Sequence, residues 1–212
     1  IVAGIREFIE SRNVSVYDEA TGKGLVRHIY LRRGETTGDI MLCLVLNGCD
    51  FVCSDDFVSF ITSRCPDITG ILLNFNTQNT NVILSDDYKL LWGRDYINDT
   101  LCDREFRVSK SSFYQVNRRA AELLYKKAGE IAALKRGDVL VDLYSGVGTV
   151  GMSIADKDTT LYGIEIVPEA IENAKINAEH NSFTDAHFKA SDAAHFNEFI
   201  KDRRDGDLVI VV

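Results

Sequence analysis

With 212 residues, 45% of them hydrophobic and 26% charged, the chain has an ordinary globular composition and enough length for one good-sized core or two small ones. No apolar run approaches the roughly 18 residues that span a bilayer, which argues against a membrane protein. The net charge of −8 divides unevenly: residues 1–120 hold 14 Lys/Arg against 16 Asp/Glu, and residues 121–212 hold 10 against 16. Phosphate neutralisation needs only a local basic patch, so this charge does not exclude a nucleic-acid partner, although the chain alone should hold one weakly.

The chain opens IVAGIREFIE, with Ile1, Ile5, Phe8 and Ile9 on one helical face. Without a Met, a basic start or an apolar leader, it reads as a piece of a longer cytoplasmic protein. Arg27–Arg33 and Asp39–Asn47 are predicted strands joined through Gly34–Gly38. Asp55 or Asp56 is the expected cap of a helix running to Ser63, and strands follow at Gly70–Asn76 and Asn81–Leu84. Cys43, Cys49, Cys53, Cys65 and Cys102 match no zinc or iron–sulfur spacing; an odd count suits reduced, buried thiols. His28, His180, His187 and His195 show no metal spacing either.

A hinge is expected at Ser109–Asn117, SKSSFYQVN. The helix predicted over Arg118–Lys135 carries Ala121, Leu124, Ala128 and Ile131 as one apolar stripe, and Gly137 stops it. Beyond it the chain alternates: strands at Val139–Leu143, Leu161–Ile166, Ala186–Ala190 and Leu208–Val212, with helices at Thr149–Ala155, Glu169–Asn181 and Phe196–Lys201. Continuous apolar strands separated by helices imply a parallel sheet covered on both faces.

VLVDLYSGVGTVG contains Gly146, Gly148 and Gly151 between a strand and a helix, and Glu165 lies 19 residues past the first glycine. Those features fit a dinucleotide fingerprint. Asp142 argues against it, because a carboxylate there would repel a diphosphate. S-adenosylmethionine (SAM), with a cationic sulfonium and an amino group, would be attracted instead. Glu165 could accept both ribose hydroxyls, and Asp192, ending the third strand of this half, could accept from an adenine amino group or cap the next helix.

Phe113–Asn117 (FYQVN), Val141–Gly151 (VDLYSGVGTVG) and Gly163–Ala178 (GIEIVPEAIENAKINA), together with Arg32–Leu42 (RRGETTGDIML), resemble the RNA uracil-5-methyltransferase family, its ribosomal branch most closely. The resemblance implies a truncated class I SAM-dependent methyltransferase, an α/β Rossmann-like fold with parallel strands over residues 113–212. A smaller mixed α/β domain over residues 1–112 would lie on the RNA side. It implies cofactor contacts at Gln115, Tyr144, Glu165 and Asp192, beside Asp142, Gly146 and Gly148 from the reading of the loop. It also implies an RNA partner, ribosomal RNA in the full-length protein, 5-methyluridine as the product, a cytoplasmic location and a monomer. In the family a nucleophilic Cys and a base Glu follow the fourth strand, so both are expected beyond Val212 and this piece alone is expected to be inactive. Another SAM-dependent methyltransferase, a nicotinamide-dinucleotide enzyme and a non-catalytic RNA-binding module are the alternatives.

Overall fold

The computed structural model describes residues 1–200 and 208–211, and these form two compact units, Ile1–Ile97 and Asn98–Val212. In the first unit, helix α1 (Val2–Ser11) precedes strands β1 (Val26–Arg33) and β2 (Ile40–Leu46), helix α2 (Ser54–Arg64), β3 (Ile68–Phe75) and β4 (Tyr88–Gly93). The sheet order is β1-β2-β3-β4; β1 and β4 lie antiparallel to their neighbours, and β2 runs parallel to β3. Ile5, Phe8 and Ile9 of α1 and Phe57 and Ile61 of α2 share one apolar core with Leu42, Leu44, Leu46, Ile71 and Leu73 of the sheet. Phe57 meets Phe8 and Phe51 edge-on at centroid distances of 5.2 and 5.5 Å, the arrangement that the ring quadrupoles favour.

The second unit opens with a two-stranded sheet of β5 (Tyr96–Leu101, of which Asn98 onward belongs here) and β6 (Arg104–Ser109), joined through Cys102 and Asp103 at positive φ. Helix α3 (Arg118–Ala132) starts where the Asn117 side chain accepts from the Ala120 N–H. There follow β7 (Val139–Asp142), α4 (Thr149–Ile154), β8 (Thr160–Glu165), α5 (Pro168–His180), β9 (Ala186–Ala190), α6 (Phe196–Phe199) and β10 (Leu208–Val211). All pairs in the sheet β10-β7-β8-β9 are parallel. Leu140, Val141, Leu161 and Ile164 are fully buried in it, as the apolar strand runs demand. The expected ends at Lys201 and Val212 lie outside the described residues.

Several expectations are corrected. Asn81–Leu84 is irregular, and the strand character lies later, in β4, β5 and β6. Residues 76–84 are instead tied down by side chains: Asn76 donates to the Val82 and Ile83 carbonyls, and Arg27 to those of Asn76, Gln78 and Thr80. Helix α2 has Cys53 at its cap position, so Asp55 and Asp56 sit in its first turn, where they favour the helix dipole. Helix α3 ends at Ala133 in the left-handed region, before Gly137, and buries Ala121 and Tyr125 while Leu124 and Ile131 are exposed. The buried stripe is thus set by an i, i+4 pair that includes an aromatic, rotated from the aliphatic one.

The compact units part near residue 97, earlier than the 112/113 boundary expected from sequence. The reason lies on α5. Asn177 accepts from the Arg107 N–H at 2.7 Å and donates to the Arg107 and Val147 carbonyls at 3.1 and 3.0 Å. One turn on, Asn181 pairs in the same way with both backbone groups of Glu105. Two side chains therefore act as a surrogate strand for β6 and join it to the glycine-loop unit. Asn177→Ala leaves buried backbone groups unpaired and should lower stability by about 2–4 kcal/mol in urea unfolding, whereas Leu124→Ala should change it by less than about 0.5 kcal/mol.

Candidate functional site

The loop between β7 and α4 is shaped by glycines that do different work. Gly146 and Gly148 both take positive φ, at 52° and 86°. A Cβ on Gly151 would lie 2.9 Å from Leu161 and 3.2 Å from the Asp142 carboxylate, and one on Gly163 would strike the Phe188 ring at 2.3 Å. A Cβ on Gly148 would run into the end of Met152, whereas one on Gly146 would meet nothing within 4 Å. Gly148, Gly151 and Gly163 thus pack the protein on itself, and Gly146 faces open space where a ligand can approach the backbone.

Asp142 ends β7 with only 2% of its surface exposed. Its Oδ2 accepts from the Gly151 N–H at 2.9 Å, and the nearby Tyr144 backbone also favours the charged carboxylate. Burial pushes its pKa up to about 6; the surrounding backbone opposes the rise and the nearby Glu165 charge adds to it. The carboxylate therefore does more than the sequence suggested, since it also ties the loop to the start of α4. An N–H that a diphosphate would need is already held by an anion, which disfavours the dinucleotide alternative.

Glu165 ends β8 with both carboxylate oxygens engaged: Oε2 accepts from the Gly146 N–H at 3.1 Å and Oε1 from Val167 at 3.0 Å. Each oxygen keeps lone-pair capacity for a further donor. The Tyr144 ring is 67% exposed beside the loop. Asp192 is exposed, and its Oδ1 accepts from the Ala194 N–H at 2.8 Å, the capping role that the sequence left open. Gln115 is half-buried in the segment leading to α3, and its side chain lies near the Tyr125 hydroxyl, as does Thr149 of α4.

Tyr125 is a site residue that sequence reasoning missed. It is buried, its hydroxyl is pushed above the ordinary range by that burial, and it lies near both Gln115 and Thr149. Its four-residue spacing from Ala121 was the available signal. Tyr114 donates to the buried Asp99 at 3.3 Å, fixing the same segment against β5. Cys102 has its thiol pKa raised by burial, which makes it a weak nucleophile.

Residues 134–211 match the family described as "Methyltransferase domain". The fold is that of a class I methyltransferase. An RNA methyltransferase of Oceanobacillus iheyensis, named as uncharacterized, is 38% identical over 97% of this chain and 45% of its own length. Another, from Lactococcus lactis, is 39% identical over 91% of this chain and 42% of its own. The chain thus spans less than half the length of these curated relatives. The tRNA (uracil-54, C5)-methyltransferase of Pyrococcus abyssi, solved with S-adenosyl-L-homocysteine, superposes with a TM-score of 0.72 at 27% identity, over 89% of this chain and 45% of that one. No helix among the described residues of this methyltransferase fold is long and apolar enough to cross a membrane. Nor do the described residues contain a His/Cys/Asp/Glu group that could hold a metal ion.

The raised Asp142 pKa has a thermodynamic consequence. A carboxyl whose folded pKa exceeds its unfolded value of about 3.9 binds its proton more tightly in the native state, so its contribution is full below about pH 4 and lost as pH rises through about 6. A shift of two units corresponds to about 3 kcal/mol. Urea unfolding from pH 4 to 7 should therefore show Asp142→Asn gaining on the parent chain by that order. A constant difference across the range would contradict the assignment.

Proposed function

We propose that this chain carries the cofactor-binding part of an RNA uracil-C5 methyltransferase. The cofactor is SAM, and the residues present fit it: an opening at Gly146, an anionic floor at Asp142, unused acceptor capacity at Glu165 and an exposed aromatic at Tyr144. When bound, SAM supplies an electrophilic methyl group on a positively charged sulfur. Asp142 stabilises that charge from beneath the loop, and Glu165 accepts from the ribose hydroxyls. Gln115, beside Tyr125, addresses the methionine end, and Tyr144 lies along the ligand. Asp192, exposed at the β9 end, accepts from the adenine amino group with the capacity its cap leaves free.

The observation that carries the uracil reading is the Gln115 segment. FYQVN is the element a generic class I methyltransferase would not share, and here its Gln115 lies near Tyr125, itself near Thr149 of the helix that follows the glycine loop. The likeness to the Pyrococcus abyssi enzyme, which acts on C5 of a uracil, supports the same reading.

C5 of uracil is a poor nucleophile and needs covalent help at C6. Cys102 has its thiol pKa raised by burial and Cys43 is buried; the family resemblance places the nucleophilic Cys, and the base that removes the C5 proton, after the fourth strand of the parallel sheet. The target base must be exposed in a loop or flipped out of its stack. Ribosomal RNA is the substrate that the sequence motifs favour; transfer RNA is the second reading, favoured by the Pyrococcus abyssi enzyme.

Incubation with methyl-labelled SAM and either RNA tests this. The full-length protein should place label at C5 of a uridine in ribosomal RNA and form a trapped adduct with 5-fluorouridine RNA. The 212-residue chain should bind SAM and do neither. Label on another atom would overturn the uracil reading, and methylation by the 212-residue chain would overturn the assignment of the nucleophile.

A further inference from the structure

Two arms of the candidate site arrive from distant parts of the chain. Gln115 follows the loop after β6, and Glu165 ends β8, just before α5. Between them stands Glu169, in the first turn of α5 and four residues past Glu165. Its Oε1 accepts from the Lys110 ammonium at 2.7 Å and its Oε2 from the Ser111 hydroxyl at 2.6 Å. On either side of that pair the Ser109 and Ser112 hydroxyls, both 2% exposed, hydrogen-bond each other at 2.8 Å. Four consecutive side chains, Ser109 to Ser112, thus lock the turn that leads into FYQVN, and one carboxylate fastens that turn to α5.

We propose that Glu169 is a positioning residue for the cofactor site, clamping the Gln115 segment to the Glu165 end of β8 through Lys110 and Ser111 so that both arms address one ligand. The proposal rests on the SAM reading above. The Lys110 side chain is only 16% exposed, so the ion pair is shielded from solvent more than an ordinary surface pair. Burial alone would raise the Glu169 pKa, and the Lys110 and Ser111 partners outweigh it and hold the carboxyl below its usual range. A favourable acid at a helix N-terminus would explain Glu169 without Lys110 or Ser111. It would not explain why both carboxylate oxygens are spent on the turn before Gln115. Nor is Gln115 supported from one side only: Tyr114 reaches Asp99, Asn117 caps α3, and Glu169 supplies the remaining anchor. Without it, the turn loses its tie to α5 and Gln115 its registration with Glu165.

SAM affinity and urea stability should be measured for the chain and for Glu169→Gln, Lys110→Met and the double variant, together with amide exchange of residues 113–117. Each single variant should weaken SAM binding about tenfold or more, the cost of loosening a supporting partner, while the urea midpoint moves little. The double variant should be no weaker than the worse single one, and exchange at residues 113–117 should quicken while β7 and β8 stay protected. Affinity within twofold of the parent would overturn the clamp. So would additive losses that merely track lost stability. Failure of the parent chain to bind SAM would overturn the cofactor reading itself, and the clamp with it.

Discussion

A carboxylate buried beneath a glycine loop is the constraint on which the site depends. Asp142 gives up solvent to accept from the Gly151 N–H beside the Tyr144 backbone, and a Cβ on Gly151 would crowd that carboxylate at 3.2 Å. The cost of burying the charge is only partly returned by the surrounding backbone, which is why the pKa stays raised. A ligand bearing positive charge would return more of it. The loop is therefore built at some expense to stability in a form that favours a cation, an arrangement that makes sense for a binding site and little sense for a plain strand-to-helix turn.

The remaining parts of the cradle are positioned by side chains that replace backbone pairing. Asn177 and Asn181 fasten β6 to α5, and Glu169 fastens the following turn to the start of the same helix. Helix α5 is thereby the common support for Glu165 on one side and for the approach to Gln115 on the other. This explains why the β5–β6 sheet from Asn98 onward belongs with the glycine-loop unit, although its sequence has the alternating character of the first unit.

What the sequence made legible was the repeating part. Apolar strand runs such as VLVD and the glycine loop mark parallel β-α units because burial on both faces leaves no polar alternation, and β7 to β9 lie close to where those runs placed them. Asp142, Gly146 and Glu165 could be singled out because a loop of that shape restricts the residue types. The second sheet was not legible, since Tyr96–Ser109 mixes charged and aromatic residues whose pairing is decided by asparagines some 70 positions away. The face of α3 was misread because Leu124 and Ile131 outrank Tyr125 on hydrophobicity, while the tyrosine is the residue that packs inward. Asp192 has a capping bond, a use that short-range sequence could suggest but not choose.

The central claim is that the buried charge of Asp142 favours a cationic sulfur. Calorimetric titration of SAM and of S-adenosyl-L-homocysteine, which lacks the sulfonium charge, isolates that term at a pH well above 6. The parent chain should prefer SAM, and Asp142→Asn should lose about tenfold of that preference while retaining the uncharged ligand. An unchanged ratio between the two ligands, or binding of a nicotinamide dinucleotide in place of both, would contradict the account.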